Sequence, residues 1–583
     1  MPKIINIKIN NKKIKAKEAQ TVLGVAYFNG IKIPNLCFHP DTCSKANCRV
    51  CVVEIKGKRG LPVSCATKIE EGMEISTNSP QVKKARKMNL ELIFAEHVEK
   101  CPTCVLNKTC QLLKYAKEYK LSITRFKDRK NKRKIYKFGN AVEIDGSQCI
   151  DCRNCIDMCN KQSANFLTLK DKGYKTEIVP VEDGEHDCVY CGQCAVHCPV
   201  ASAQEQMHVK EVEKSLNQKN KVLIAQIAPS IRSSIGEIFN LPYGKIVTGQ
   251  LVASLKKLNF DYVFDVNFGA DVTTVVEAQE LAERLKKKTA GPLPMFTSCC
   301  PGWVRFVEFY YPEFIPNLTT ARSPHIHSAG VIKTYFAEKM KINPKDIVVV
   351  SIMPCTAKKF ESSRKELMIG GNNLVDYVLT TRELGFLLGK NRINLAKIKS
   401  IEADNPLGTH SGAAAIYGAS GGVMESALRS ACAILDKGNL KCINFKAVRG
   451  DKEIKTAEIK FGKKKLKVAV VNGLGNARKI LEELKKDPKK YNYIEVMACP
   501  GGCIGGGGQP IPSTPLQRKK RAESLYQIDA KKKIRTAHEN PVVQEVMKWL
   551  DKNKHLKHKV LHTSFKQVKK PEALKTGQQQ CKK

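Results

Sequence analysis

The sequence predicts an α/β domain, built from parallel sheets with crossover helices, preceded by small α+β domains rich in cysteine. Three observations carry that prediction. From residue 213 onward, short β-branched runs alternate with helical patterns, as strands joined by crossover helices do. Sixteen of the 24 cysteines fall before residue 200, grouped at the close spacings of metal ligands. Three apolar runs in the second half deliver cysteines: PMFTSCCPGW carries Cys299 and Cys300, IVVVSIMPC ends at Cys355, and YIEVMACPGGCIGGGGQP carries Cys499 and Cys503 before four consecutive glycines. In open α/β sheets, ligands sit beyond the carboxyl ends of the strands. Three strand ends delivering Cys300, Cys355, Cys499 and Cys503 therefore predict one buried four-thiolate site, with glycines letting backbone crowd against it.

A chain of 583 residues has room for about three or four domains, and 42% hydrophobic residues allow a sizeable core. The N-terminus, MPKIINIKINNKK, lacks the apolar segment of a secretory signal and is not the Arg- and Ser-rich stretch of a transit peptide. No apolar run approaches the ~18 residues of a transmembrane segment. The cysteines are therefore expected in a reducing, cytoplasmic compartment, where clustered Cys means metal rather than disulfide. The formal charge of +43 first raises nucleic-acid binding. Against it, most basic residues are Lys spread along the chain. There is no aromatic-interleaved RNA-binding motif, no helix-turn-helix and no zinc-finger His pair. Nucleic acid is thus not expected as a partner. Two readings of the charge stay open: a lysine bias covering solvated faces, or a field that steers an acidic electron carrier.

Residues 1–80 begin with Ile5, Ile7 and Ile9 alternating toward Asn10-Asn11, a hairpin pattern. Cys37, Cys48, Cys51 and Cys65 follow as C-x10-C-x2-C-x13-C. A close pair with two outlying thiols suits a [2Fe-2S] cluster, with zinc as the alternative metal. The stretch resembles plant-type ferredoxin domains, in the variant shared with the large iron–sulfur subunit of respiratory complex I. Cys43 reads as a bystander, although it could compete with Cys37. Residues 81–125 carry His97-x3-Cys101-x2-Cys104-x5-Cys110 after a helix expected over 88–97. One His and three Cys so close together favour ligation over a structural His. The same signature in complex I holds a [4Fe-4S] cluster. Residues 125–137, RFKDRKNKRKIYK, read as a basic linker.

Residues 138–212 hold an internal repeat. Cys149-x2-Cys152-x2-Cys155-x3-Cys159 recurs as Cys188-x2-Cys191-x2-Cys194-x3-Cys198-Pro199. This is the bacterial two-cluster ferredoxin pattern, in which the fourth Cys ligates the other cluster. Cys198 is therefore expected with Cys149, Cys152 and Cys155, and Cys159 with Cys188, Cys191 and Cys194. Residues 213–550 form the α/β part, with strands expected at 221–228, 261–266, 347–355, 467–471 and 493–497 and a helix at 275–287. Gly473-Leu-Gly475 looks like half a dinucleotide fingerprint, but Arg478 replaces its third Gly, so a tight strand-to-helix turn is the better reading. Helices are expected at 523–526 and 541–550. Residues 551–583 read as a basic, mobile tail in which Cys581 is incidental.

TSCCPGW, MPCTAKKFES and EVMACPGGCIGGGGQP together resemble the three signatures of the iron-only ([FeFe]) hydrogenases, in the right order. The fold class is then an α/β catalytic domain preceded by three kinds of α+β iron–sulfur domain: plant-ferredoxin-like, one built on a His and three Cys, and two-cluster ferredoxin-like. Nineteen Cys and one His fill five sites, leaving Cys43, Cys299, Cys432, Cys442 and Cys581. The resemblance implies one [2Fe-2S] cluster, three accessory [4Fe-4S] clusters and an H-cluster. In the last, Cys300, Cys355, Cys499 and Cys503 hold a [4Fe-4S] unit, and Cys503 bridges to a two-iron unit with CO, cyanide and dithiolate ligands that maturation proteins supply. That unit would split H2 heterolytically, with a cofactor-borne amine as base.

The resemblance also implies a proton path from Cys299 through Glu277, Thr319 and Glu280, with Thr319 standing where the family usually has Ser. The spacing of Glu277, Glu280 and Arg284 alone would as readily describe a salt-bridged surface. Cys299 suits the first step because a thiol titrates near neutrality. Ser230, Met353, Lys358 and Met497 are expected around the two-iron unit, with Lys358 on a cyanide. His325 and Tyr417 match wall positions where relatives often carry other residues. The N-terminal clusters would wire electrons from ferredoxin or from NAD(P)-reducing partner subunits. Competing readings are a non-catalytic electron-transfer subunit, a cluster-assembly protein and a hydrogen sensor. Intact Cys299, Met353 and Lys358 weigh against the last two.

Overall fold

The computed structural model describes residues 3–286, 291–435, 444–450, 452–461 and 464–574. The hairpin is present as Ile4–Ile9 paired antiparallel with Lys12–Lys17. Asn10 and Asn11 take φ of 48° and 66°, the left-handed pair that a two-residue hairpin turn needs. Ile5, Ile7 and Ile9 are buried because side chains alternate along a strand. Glu74–Ser76 and Glu54–Ile55 complete this four-stranded sheet. The helix expected over 88–97 is Pro80–Phe94, begun by Pro80 at its first position and by Ser79, whose side chain accepts from the Val82 amide. Its basic residues hid its length. Arg86 is wholly buried and spends its guanidinium on the carbonyls of Val50, Val52 and Thr77. His97 therefore lies on the loop beyond the helix.

The basic stretch 125–137 is not a free linker. Arg125, Arg129, Lys130 and Arg133 pair with Glu91, Glu96, Glu99 and Glu177, and Ile135–Phe138 is a strand against Val142–Asp145. Opposite charges far away in the sequence turned a solvated run into a docked one.

Two four-stranded sheets form the α/β part. The first, in spatial order Tyr262–Asp265, Val222–Ile227, Ile347–Met353 and Tyr377–Thr380, is entirely parallel. Its strands are buried on both faces, which is why they read as continuous β-branched runs. The second runs Met295–Phe296, Tyr493–Met497, Lys464–Asn472 and Ile454–Phe461. Its last strand is antiparallel, so the expectation of parallel sheets fails at that edge. The strand exposes Thr456, Glu458 and Lys460, polar side chains that suit a sheet edge. The helix expected at 275–287 begins nine residues earlier, as Val266–Lys286, directly off the strand Tyr262–Asp265. Almost all of it is buried, so it shows no amphipathic stripe to mark its start. The turn at Gly473, φ 86°, leads into the helix Leu474–Lys486, whose Leu474 amide is met by Gln162 Oε1 at 2.9 Å. The first amide of that helix is thus engaged by a protein side chain.

The mobile-tail expectation fails for residues 554–574. Lys554–Leu561 is a helix with Val560 and Leu561 buried, and the chain then runs as a strap across the molecule. Asp187 accepts from the Glu572 and Ala573 amides, 3.1 Å each, and from Arg305 at 2.6 Å. Among the described residues, no helix is long and apolar enough to cross a membrane.

The four glycines Gly505–Gly508 are explained by crowding. A Cβ on Gly506 would overlap the Pro354 carbonyl, and one on Gly508 would stand 2.6 Å from Thr380 Cβ. A Cβ on Gly507 would stand 2.6 Å from both Cys191 O and Gly192 Cα. That backbone-to-backbone contact joins the second cysteine repeat to the catalytic part. Gly507→Ala should therefore lower unfolding stability by about 1–3 kcal/mol through overpacking. Anaerobic denaturant titration checks this, and an unchanged midpoint would show that the junction is loose.

Candidate active site

The four predicted cysteines meet at the carboxyl ends of the second sheet and of Ile347–Met353. Cys300 follows Met295–Phe296 and opens the helix Pro301–Tyr310, and its Sγ accepts from the Ala498 amide at 3.4 Å. Cys355 and Cys499 each lie two residues past a strand end, at Met353 and Met497. Cys503 follows Gly501 and Gly502, whose φ of 75° and 93° make the turn. All four line one buried cavity, together with Cys299. Burial pushes all four thiols up, Cys355 to about 12; neighbouring thiols add to it at Cys355, Cys499 and Cys503, whereas backbone hydrogen bonds and Lys358 oppose it at Cys300. Four mutually repelling thiolates in one dry cavity require a cation among them, so the donor set fits an iron–sulfur unit.

The rest of the cavity wall fits the two-iron unit as well. Met353 and Met497 are buried, soft and apolar. Ser230 is buried, and its Oγ accepts from Gln509 Nε2 at 3.3 Å. Lys358 Nζ reaches the Cys299 carbonyl at 3.0 Å and Glu361 Oε2 at 2.7 Å. Burial works against the Lys358 ammonium, but Glu361 outweighs it and holds the group charged. His325 shares Glu361 Oε2 at 2.5 Å, and burial followed by the Lys358 charge drives it down to about 4, so it is neutral. Tyr417 OH is 2.7 Å from Thr274 Oγ1 on the long buried helix.

The acid pair lies deep in the same helix rather than on a surface. Glu277 is 1% exposed and neither carboxylate oxygen has a hydrogen-bond partner among the described residues. Burial and then the Glu280 charge raise it to about 8. Its charge in turn acts on Cys299, whose thiol is pushed well up, first by burial and then by Glu277. Cys299 thus does not titrate near neutrality as expected; it is held protonated. Glu280 Oε2 accepts from Thr319 Oγ1 at 2.7 Å, and Arg284 pairs with Oε1 at 2.5 Å. Thr319 and Glu280 are thus hydrogen-bonded, and Glu277 lies within charge range of both Glu280 and Cys299.

The accessory cysteines group as their spacing predicts. Cys37 contacts Cys48, and Cys51 contacts Cys65, each pair also within charge range of the other. Cys43 is exposed and apart, its amide donating to Asp157. His97 Nδ1 meets the Gln148 carbonyl at 2.8 Å, which leaves Nε2 to face outward as a ligand. Cys101, Cys104 and Cys110 lie within mutual charge range. Cys149, Cys152 and Cys155 act on one another and on Cys198, and Cys188, Cys191 and Cys194 on one another and on Cys159, so the repeats cross over. Cys432 is buried away from these groups, and Cys442 and Cys581 lie outside the described residues.

Strand-end thiols in an α/β domain, fed by ferredoxin-like cysteine repeats, define an iron–sulfur oxidoreductase. Residues 221–507 match the model of the iron-only hydrogenase large subunit, C-terminal domain, and residues 516–568 that of the iron hydrogenase small subunit. Residues 3–80 match a 2Fe-2S iron–sulfur cluster binding domain, 86–125 the iron–sulfur binding region of the NADH-ubiquinone oxidoreductase G subunit, and 148–202 a 4Fe-4S dicluster domain. The chain is 38% identical to the NADP-reducing hydrogenase subunit HndD of Solidesulfovibrio fructosivorans and 39% identical to iron hydrogenase 1 of Clostridium pasteurianum. Each match covers 96% of this chain and 99% of the relative. Among solved structures it is similar to a cysteine-to-histidine variant of apo [FeFe]-hydrogenase HydA1 from Chlamydomonas reinhardtii, with TM-score 0.55 and 37% identity over 62% of this chain and 99% of that one. The chain belongs to the [FeFe]-hydrogenases, and it is an iron–sulfur enzyme of that family.

Sequence reading missed Glu361, which anchors both Lys358 and His325. The signal was there: it stands three residues after Lys358 on the short helix Ala357–Ser362, inside the quoted motif. It also missed Gln509, which likewise stands inside a quoted motif, and Thr320 and His562, which no local pattern marks. Because the folded-state value of Glu277 lies above that of an unfolded carboxylate, its contribution to stability is fully present below ~pH 4.3 and is lost as pH rises through about 8. Glu277→Gln cannot ionise. Its melting temperature should match the parent's in acid and exceed it by a few degrees on the alkaline side, as scanning calorimetry reads. Parallel curves would show that Glu277 carries no such penalty.

Proposed function

We propose that this [FeFe]-hydrogenase interconverts H2 with two protons and two electrons in the cavity of Cys300, Cys355, Cys499 and Cys503. The observation that supports this best is the one buried cavity lined by those four strand-end cysteines together with Cys299 and Lys358. When bound there, the H-cluster would supply the Lewis-acidic iron and the base that split or form H2. Cys300, Cys355, Cys499 and Cys503 would hold it. Lys358, kept charged by Glu361, would donate to a ligand of the two-iron unit, and Ser230, Met353 and Met497 would shape its surroundings while excluding water. Cys299 Sγ would give or take the proton nearest the reaction, Glu277 would carry it, and Thr319 Oγ would pass it to Glu280 Oε2. His325 stays neutral and so adds no second charge beside Lys358.

The wire would be one [2Fe-2S] cluster on residues 1–80, a [4Fe-4S] cluster held by one His and three Cys on 81–125, and two [4Fe-4S] clusters on 138–212. With the catalytic unit on 213–550, this requires about 20 Fe per chain. Ferredoxin or NAD(P)-reducing subunits would exchange electrons with it, and dedicated maturation proteins would supply the two-iron unit. Arg478 replaces the third Gly of a dinucleotide fingerprint after Gly473, so nicotinamide chemistry would belong to a partner. The reading places the enzyme in a reducing, anaerobic cytoplasm.

Two measurements test this reading. Cys299→Ala and Thr319→Ala should each lose most H2 turnover, by about 100-fold or more, while iron content and the CO and cyanide infrared bands stay unchanged. Thr319→Ser should stay within about tenfold of the parent. Full turnover in Thr319→Ala, or lost bands in Cys299→Ala, would overturn the assigned path. In the second, kcat/KM with ferredoxin should fall as ionic strength passes ~0.1 M, where the Debye length is ~10 Å, while turnover with cationic methyl viologen should not. A flat ferredoxin response would make the +43 charge a compositional bias.

A further inference from the structure

Glu280 is the point where the proposed proton path comes within reach of solvent. Besides Thr319, its Oε2 accepts from the Thr320 amide and from Thr320 Oγ1, both at 2.9 Å. Thr320 Oγ1 is also 2.9 Å from His562 Nδ1. Thr320 is exposed, and both residues line an open cleft shared with Arg322, Glu366 and His558. The His562 Nε2 atom has no hydrogen-bond partner among the described residues. The C-terminal strap holds His562 in this position. Ala321 bridges antiparallel to His562, the Thr563 amide donates to the Thr320 carbonyl at 2.8 Å, and Arg322 Nε donates to the His562 carbonyl at 2.9 Å.

We propose that His562, acting through Thr320, is the group by which the proton path exchanges protons with solvent. This rests on the reading of Glu280 as the outer end of that path. For inward transfer, cleft water gives a proton to Nε2, and an N–H bond forms there. The Nδ1–H bond breaks toward Thr320 Oγ1 as that hydroxyl passes its own proton to Glu280 Oε2. Glu280 gains one proton, and the ring returns to neutral as its other tautomer. A flip of the ring then turns bare Nδ1 to the cleft water, where Nδ1 takes a proton as Nε2–H returns one, and flipping back restores the starting tautomer with no net change in protons. Outward transfer reverses each bond change.

The groups facing His562 favour handing the proton on over keeping it. Partial burial and then His558, stacked at 5.4 Å between ring centroids, lower its pKa; Glu280 opposes them, while Lys557 and Arg322 add to the lowering. Glu366 stands on the cleft wall as a further acid.

The experiment uses matured full-length protein. In weakly buffered solution near neutral pH, His562→Ala and His562→Gln should lower viologen-driven H2 evolution by about fivefold or more, and free imidazole should restore most of the loss in His562→Ala. Iron content and CO and cyanide infrared bands should match the parent. In protein made without the maturation proteins and labelled with 13C in the histidine rings, the infrared titration assigned by its loss in His562→Gln should move to lower pH in Glu280→Gln. Full turnover of His562→Ala in weak buffer would overturn the proposal. So would a loss that imidazole leaves untouched, or a His562 titration indifferent to Glu280→Gln. Active Glu280→Gln would instead overturn the path itself, whereas inactive Glu280→Gln beside fully active His562→Ala would remove only His562.

Discussion

Everything in this molecule is arranged around one contact made possible by missing side chains. Gly507 and Gly192 lie backbone against backbone, so the loop of Cys191 touches the loop of Cys503 with no Cβ between them. The charges of Cys191 and Cys355, and of Cys191 and Cys499, already act on each other across this junction. Electron transfer needs its centres close, and only glycine permits this approach. The surrounding pairs hold the two sides together. Arg382 binds Glu205 of the two-cluster region while donating to the Gly507 and Gln509 carbonyls at 2.8 Å each. Thr356 Oγ1 donates to the Tyr190 carbonyl at 2.7 Å. On another side, Asp187 and Arg305 tie the second cysteine repeat to the catalytic helix and to the C-terminal strap.

The same dryness that brings clusters together makes charge expensive, and the site treats its charges in two ways. Lys358, Glu361 and His325 form a satisfied network in which one carboxylate serves two partners, and Glu361 falls to about 2 despite its burial. That network is fixed in one protonation pattern, and it positions the ammonium. Glu277 is the opposite case. It is as deeply buried, yet both its oxygens lack partners among the described residues, and it sits near neutrality in its protonation. A group that must change state in each turnover cannot be locked by strong partners. The weak pairing of Glu277 suits the carrier role proposed for it.

Much of this was legible in the sequence, because cysteine spacing and strand-end motifs are local. Cys149 to Cys159 and Cys188 to Cys198 specify their crossing through one repeated pattern, and the Gly505–Gly508 run announces close packing. What stayed illegible depends on partners far away in the chain. The stretch at 125–137 looks solvated until Glu91, Glu96, Glu99 and Glu177 come opposite it. The strap at 554–574 has too few apolar residues to show a periodic face. It is held by backbone hydrogen bonds to Asp187 and to residues 320–322, which no composition reveals. The antiparallel edge Ile454–Phe461 hid for the related reason that a buried Lys455 interrupts its inner face, while Thr456, Glu458 and Lys460 are exposed. The long buried helix failed in the other direction, since Val266–Lys286 is covered on all sides and shows no stripe.

The adjacency of Cys299 and Cys300 gives the last step. Backbone at Cys300 is extended, φ −99° and ψ 103°, and neighbouring side chains of extended backbone point to opposite sides. Cys300 therefore turns toward Cys355, Cys499 and Cys503, while Cys299 turns toward Glu277. In the proposed mechanism, one peptide unit would separate the electron side of the cavity from the proton side. Beyond it the two would diverge along different elements: electrons through the glycine junction to Cys191, protons along Val266–Lys286 to Glu280. Thr319 fits this division. Its oxygen is fixed by Glu280 Oε2 and by the Ala321 amide at 3.3 Å, so a β-branched side chain loses nothing by being stiff there. Only its hydroxyl hydrogen has to move, and that rotor is free in Thr as in Ser.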